Sequence, residues 1–517
     1  MLYFIPAWYY NDLRRENEQV WYQLKEHTEF DDTVKQIQLF DRNEICDFKL
    51  LLFSFTPNLR HFLHRQGIFS VPYWSVFDSI QGITRKKVQV FSYRDLKWPK
   101  DTTFIYTPFC IIAEVNKQKH SEIFFGKDGN LIEVHFFGAD TITRKNYYDD
   151  RGFLSSTIVF KNGKPYYEQY LNENGTWKIC HFFDDNHVEI NPSSNFYILD
   201  GETFKYSCLH YSSLDEVIFE VFNNYYFKEI RNDIFCIAMH KLNDILVETV
   251  LRKEKRIISL YQNRYFIKDT SLLESVNYTI IDSRKYLIDI YENKSIMDKL
   301  IELSPFDTRF DFGKSSQLGV QNILLPVDEL DAVTYEMLVI NLIKHLYKND
   351  KAVIHVFTRK SDFNRIEYLT HLTNKIFTEI SANNIGDLNY IEDEVLNSLK
   401  SRVVYDQCID EMSVRNIIRE QRILVDFSDY PDLYLQILCL SSGIPQIVRK
   451  KTQYIEHKQN GVIIDNFSEI DAALSYYLSH LYNWNQAKVY SYDLLKNFTA
   501  EKLVEKWIKI IKKVEND

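Results

Sequence analysis

The chain has 517 residues, more than one hydrophobic core holds, so two or three domains are expected. Its net charge of −10 argues against a nucleic-acid partner. Only 14 glycines are present, which leaves few positions for loops that wrap backbone around phosphate. Seven cysteines (Cys46, Cys110, Cys180, Cys208, Cys236, Cys408 and Cys439) form no C-x-x-C and predict reduced thiols in a cytoplasmic protein. The amino-terminal run MLYFIPAWYYNDLRR lacks the basic segment of a signal peptide. No window approaches the ~20 apolar residues that cross a bilayer.

In chain order, Leu2–Ile5 reads as a buried strand. Asp31 and Asp32 read as carboxylate caps of a helix carrying Val34, Ile37 and Phe40 on one face. Phe48–Phe55 is a second buried strand, and Thr56-Pro57 is expected to open a helix that ends before Gly67. From Ile123 to about Leu199 the pattern changes to strands broken by Asp128-Gly129, Asn162-Gly163 and Asn174-Gly175, which are hairpin signals of an antiparallel meander. Its rings include Tyr166, Tyr170 and Trp177. They either pack the sheet onto its neighbour or offer a glycan or partner surface.

The α/β pattern returns near 205, with strands Ile234–Met239 and Ile257–Tyr261 around a helix Leu242–Leu251. A further α/β run starts near 311: strand Asn322–Leu325, helix from Ala332, strand Ala352–Phe357, and a helix from about Asp362. Strands follow near Val403 and at Ile423–Phe427. After a helical pattern (Leu433, Ile437, Leu440) come Gly443-Ile444-Pro445 and short strands Gln446–Val448 and Val462–Ile464. Strand, helix and strand in that order predict a parallel crossover. A helix from Ser468 to about Leu481 precedes the last one, Ala500–Val514. That helix is amphipathic, with Lys502, Lys506, Lys509 and Lys513 around its apolar face, a candidate contact for anionic lipid.

Other motifs lack a required part. Gly313-Lys314-Ser315 has no glycine five positions upstream, so no P-loop forms. His61 and His64 have no third ligand nearby, and no metal or cofactor is expected.

The stretch Arg422–Ile464 resembles the nucleotide-sugar half of retaining glycosyltransferases with two Rossmann-like domains, the GT-B fold. In that family two glutamates, with seven residues between them, bracket the helix before Gly-x-Pro. Aligned on Gly443 and Pro445, the resemblance puts Tyr430 and Leu438 at those positions. It puts Asp328, Glu329 and Asp331 where the family has cations, while Arg359-Lys360 follows the next strand.

The runs MLYFIPAWYY, FDDTVKQIQLF, LLLFSFTPNLRHFLHRQGI, DDRGFLSS and NILLPVDELDAVTYEMLVINLIKHL are similar to the first accessory secretory protein of the bacterial accessory Sec system. That likeness implies an α/β fold of two Rossmann-like domains in GT-B arrangement with an inserted antiparallel β-meander. The expected divisions are 1–120 and 205–310 for the first domain, 121–204 for the insert, 311–499 for the second domain, and 500–517 for a crossover helix. It implies no catalytic residue and a complex with two other accessory secretory proteins. It further implies dealings with a serine-rich repeat glycoprotein and the accessory Sec motor ATPase, in the cytoplasm or peripherally at the membrane. An active transferase, with Glu456 or Arg359 and Lys360 replacing the glutamates, and a glycan-binding module stay open as alternatives.

Overall fold

A computed structural model describes residues 1–10, 12–16, 20–22, 31–139, 141–229, 233–261, 264, 271–282, 294–311, 313–360, 363–382, 391–408 and 410–516. The expected helix start at Asp362 lies outside them. The architecture is mixed α/β, with two parallel sheets and one large antiparallel sheet.

The first parallel sheet has seven strands. Leu2–Ile5 lies inside it between Phe48–Leu52 and Ile234–Ala238; Tyr73–Ser75 forms one edge and Leu300–Glu302 the other. The second has six strands in the order Val403–Gln407, Ala352–Thr358, Gln321–Pro326, Gln421–Asp426, Gln446–Val448 and Gly461–Ile463. Numbered along the chain, that order is 3-2-1-4-5-6, the doubly wound arrangement that leaves a crevice where the winding reverses. Strand Gln421–Asp426, helix Leu433–Ser442 and strand Gln446–Val448 form the predicted crossover, with Leu424 opposite Gln446.

Between Tyr73–Ser75 and Ile234–Ala238 the chain makes a ten-stranded antiparallel sheet, with neighbours in space following the chain. The expected glycine dipeptides turn its hairpins. At Asn162-Gly163 both residues have positive φ (53° and 74°), as a two-residue hairpin turn requires. The sheet starts at Thr103–Tyr106, earlier than the meander read from sequence, and ends at His210–Tyr211. Its first hairpin was hidden because Thr107 and Cys110 close the turn without glycine, through the Thr107 hydroxyl and backbone. Phe196–Leu199 and Glu202–Lys205 leave the sheet as a separate hairpin, burying Tyr197 and Leu199 in the first α/β core.

The helix expected to open at Thr56-Pro57 starts at Leu59. The Pro57 carbonyl is needed elsewhere, accepting from Asp150 N (3.0 Å) and Arg60 Nη2 (2.9 Å). Helices Leu214–Glu229, Asp393–Ser401, Glu411–Glu420 and Leu481–Leu495 gave no clear signal in the sequence, and Ile470–Leu478 is shorter than its pattern. The last helix, Ala500–Asn516, buries Leu503, Trp507, Ile510 and Val514 in the first domain's core, with Trp507 edge-on to Phe40 at 5.2 Å.

Buried charges fasten the antiparallel sheet to the first α/β domain. Arg151 reaches Asp78 with both terminal nitrogens (2.9 and 2.8 Å) and Asp149 with Nε (2.7 Å). Arg60 binds Asp150 through its backbone amide (2.9 Å) and its guanidinium, and Asp149 at 3.3 Å. Arg151→Met would strand Asp78 without the cation that bonds it and leave Asp149 with Arg60 alone, at 3.3 Å. We expect a loss of about 3–5 kcal/mol in urea unfolding. Lys502→Ala, which removes only an exposed pair with Glu505, is expected to cost less than about 1 kcal/mol. Equal losses would mean that the buried network does not hold the sheet.

Candidate functional site

The crevice of the second sheet is bordered by the loops that leave its strands' carboxyl ends. Asp328 follows Gln321–Pro326, Arg359 follows Ala352–Thr358, and Asp426 ends Gln421–Asp426. Helix Leu433–Ser442 would offer its amino-terminal amides to an anion there. Its own cap, Asp432, takes them instead, accepting from Tyr434 N (3.0 Å) and Leu435 N (3.1 Å). Asp432 also pairs with Arg359 at 2.5 Å. Lys360 is held by Glu329 (3.1 Å) and by the Asp328 carbonyl (3.1 Å). Asp328 accepts from Arg359 N at 2.8 Å and from the Thr358 hydroxyl.

The residues singled out in the sequence separate into distinct places. Asp328 lies in this charge cluster, and Tyr430 is half-buried in the loop before Asp432. Asp331 is the N-cap of helix Ala332–Lys348, bonded to Thr334 N (2.9 Å) and its hydroxyl (2.8 Å); these bonds hold its carboxyl below the ordinary range. Leu438 is buried in an apolar cluster with Tyr261, Phe306, Tyr454 and Phe498. Gly443 and Pro445 sit past the far end of a ten-residue helix, about 15 Å from its amino terminus. Gly443 takes φ +68° as the helix's left-handed cap, where a Cβ would come 2.6 Å from Lys488 Cγ. The Pro445 carbonyl accepts from Leu424 N at 3.1 Å. Helix ending and strand pairing explain both residues.

On the meander, Tyr170 is not a surface residue. It lies 4% exposed against Phe55 and Phe77, its hydroxyl donating to Glu168 (3.1 Å). Tyr166 lies at a register shift in the same strand, half-buried against Tyr167 and Phe182, with Lys161 Nζ 5.0 Å from its ring, and Trp177 is half-buried too. Alternation read from the sequence shows nothing of that shift. Of the terminal lysines, Lys502, Lys509 and Lys513 are exposed, and Lys506 lies half-buried near Phe498. His61 faces Asp128 at 3.5 Å. Among the described residues one exposed group, Asp184, Asp185 and His187, has metal-ligand spacing, but Asp185 and His187 bind each other and His187 stacks on Phe182 at 4.3 Å.

Pattern reading missed the contacts that close the crevice. Lys35 of the first domain reaches Glu411 at 3.1 Å, and the Tyr434 hydroxyl donates to the same carboxylate at 2.8 Å. Burial alone would raise Glu411, but Lys35 and Tyr434 outweigh it and hold the group below its ordinary range. Tyr454 donates to Ser304 (2.7 Å), Gln453 to the Asp282 carbonyl (3.2 Å), and Phe306 packs edge-on to Tyr434 at 5.2 Å. An Asp before an apolar helical run signals a cap, so Asp432 was legible in the sequence; its pairing with Arg359 was not. Asp426, 2% exposed, was read only as part of a strand.

The family model described as accessory Sec system protein Asp-one matches residues 1–514. Curated proteins of that description from Streptococcus gordonii and Staphylococcus aureus are 32% identical (99% of each chain) and 29% identical (100% of each). The structure superposes on a chain of the accessory secretory protein 1, 2 and 3 crystal structure from Streptococcus pneumoniae with TM-score 0.80, at 28% identity over 100% of both chains. It superposes on the Glycosylation Associate Protein (Gap123) complex from Streptococcus agalactiae with TM-score 0.79, at 30% identity over 99% and 100%. A pneumococcal O-GlcNAc transferase, GtfA, solved with UDP and GlcNAc, matches at TM-score 0.68 and 12% identity over 100% and 99%; this likeness shows the GT-B fold alone.

Burial raises the Asp426 carboxyl from its ordinary 3.8 to about 6, against the opposing bonds from Ser428. The folded state therefore holds this proton more tightly than the unfolded one. Its contribution to stability is full below about pH 4 and is lost as pH rises through 6. Asp426→Asn is expected to gain about 1–3 kcal/mol relative to the parent chain between pH 4 and 6, then level off. Chemical unfolding at stepped pH reads this directly, and a difference flat with pH would rule Asp426 out.

Proposed function

Because this chain belongs to the Asp-one family of accessory Sec system proteins, we infer that it acts as a non-catalytic, glycosyltransferase-like subunit. It scaffolds a complex with two other accessory secretory proteins that serves export of a serine-rich repeat glycoprotein. The observation that carries the reading is the charge pairing in the crevice. A nucleotide-sugar diphosphate needs free cations or helix amides. Arg359 pairs with Asp432, Lys360 with Glu329, and the amides of helix Leu433–Ser442 with Asp432. Tyr430 and Leu438, aligned with the family's glutamates, bring no carboxylate. Asp328, Asp331, Gly443 and Pro445, expected in a degenerate donor pocket, keep structural roles at separate places.

Assembly is supported by the complexes in which the relatives were solved. No helix of the described residues is long and apolar enough to cross a membrane. The proposed location is the cytoplasm, with peripheral membrane contact. Such contact would engage Lys502, Lys509 and Lys513 by charge, since the apolar face of their helix is docked on the first domain. Contacts with the motor ATPase and the glycoprotein belong to the same proposal.

Calorimetric titration of the chain with UDP-N-acetylglucosamine, UDP-glucose and UDP is expected to give no heat at millimolar ligand. Several charge-assisted hydrogen bonds of about 1.5–3 kcal/mol each have no partner left to form them. Micromolar binding would instead support the transferase reading. Separately, co-expression with the two other accessory secretory proteins should yield a complex that survives size-exclusion chromatography. Elution of this chain alone would sink the scaffold reading, whatever the titration gives.

A further inference from the structure

Helix Leu481–Leu495 carries two stripes. The inner one, Trp484, Ala487, Ser491 and Leu495, is buried, with Trp484 Nε1 donating to the Arg422 carbonyl at 2.8 Å. That side fixes the helix on the second domain, and a helix so placed ordinarily turns charged residues outward. The outer face here is not charged. Tyr482, Val489 and Tyr492 stand out of it at 70%, 64% and 49% exposure, beside the exposed Asn485 and Gln486. At its start Leu481 is exposed, as is Tyr476 of the preceding helix Ile470–Leu478.

From Ala472 to Tyr492 the only Asp, Glu, Lys or Arg is Lys488, in a chain that is 26% charged. Lys488 turns back over the Trp484 ring, at 5.4 Å. At the far end Asp493 and Lys496 answer each other at 2.7 Å. Single exposed apolar residues are ordinary on a protein surface. An uncharged face bearing Tyr476, Tyr482 and Tyr492 on two consecutive helices has instead the composition of an interface centre. Tyr482, Asn485, Val489, Tyr492 and Lys496 follow the alternating steps of three and four residues that let one helix mesh with another.

We propose that helix Leu481–Leu495 pairs antiparallel with the same helix of a second copy of this chain, in a weak two-fold dimer. Charge selects that occupant. Each copy carries a net −10, so two copies repel over most of their surface and approach most easily through a neutral face. The face also answers itself. Tyrosine hydroxyls and the Asn485 and Gln486 amides both donate and accept, which lets one patch meet its own copy. Lys496 sets the direction. A parallel pair would place Lys496 against Lys496, whereas an antiparallel pair places Tyr482 against Tyr492 in two aromatic layers around Val489 and Asn485. The helix has 15 residues, a length of about 22 Å. Two such faces bury less than the roughly 1,200–2,000 Å² of a stable interface, so the dimer is reversible. Pairing here neither needs nor excludes ligand binding in the crevice.

The test is sedimentation velocity of the full chain between about 1 and 200 µM, the range in which weak dimers form. The weight-average sedimentation coefficient should rise with concentration from monomer toward dimer. Val489→Asp should hold the chain monomeric throughout, and Val489→Leu should tighten the dimer about threefold. Tyr482→Glu should weaken it at least tenfold. Adding Tyr492→Lys should restore most of that loss, since the two positions face each other only in the antiparallel pair. Val333→Asp, at an exposed position on helix Ala332–Lys348, should leave the dimer unchanged. Thermal unfolding confirms that each variant folds. A chain monomeric at every concentration, a dimer indifferent to Val489→Asp, equal loss on Val333→Asp, or no rescue by Tyr492→Lys would overturn the proposal. So would a parent chain that stays monomeric while Val489→Asp fails to assemble with the two other accessory secretory proteins, since the face would then serve one of them.

Discussion

Two arginines and three aspartates, sealed between the antiparallel sheet and the first α/β domain, set the geometry on which the remainder of the molecule rests. A sheet inserted between two strands of a parallel core joins that core at only two chain crossings, and apolar packing alone leaves such a module free to slide. Directional bonds remove that freedom. Arg151 grips Asp78 on the α/β side and Asp149 on the sheet side, while Arg60 grips Asp149 and Asp150 from the helix that follows Pro57. Charges this deeply buried are tolerated only because each carboxylate meets a guanidinium or a backbone amide. A second tie works alongside. Arg15 pairs with Glu168 and lies 4.2 Å from the Tyr147 ring, where the amino-terminal segment passes beneath the sheet.

The same principle, charge answered within the chain, governs the crevice between the domains. A transferase holds cations and helix amides open for a ligand. Here Asp432 occupies both at once, capping its helix and pairing with Arg359. The adjoining surfaces are fastened as well: Lys35 reaches across to Glu411, and Tyr261, Phe306, Tyr434 and Tyr454 form one apolar cluster spanning the junction. These contacts tie the two α/β units to each other across the junction.

The terminal helix gives its apolar stripe to the first domain, while Lys502, Lys509 and Lys513 stay exposed along its rim.

Much of this was legible in the sequence because it depends on local periodicity. Buried strands such as Leu2–Ile5, the crossover through Gly443 and Pro445, the Asn-Gly hairpins and the Asp31 cap each follow from residues within a few positions of one another. The family strings carried the fold class for the same reason, being contiguous. Tertiary structure decided whatever depends on which face is covered and which charges meet. Tyr166 and Tyr170 are four positions apart in one run, yet a register shift at Tyr166 breaks the alternation and Tyr170 alone of the two packs on Phe55 and Phe77. Asp432 was readable as a cap, but its pairing with Arg359 joins the ends of two different strands. Lys35 and Glu411 are surface-like charges in sequence and neighbours only after the domains close. Periodicity is set by backbone geometry over a few residues. Coverage and charge pairing are set by which distant segments pack together, and no local pattern encodes that.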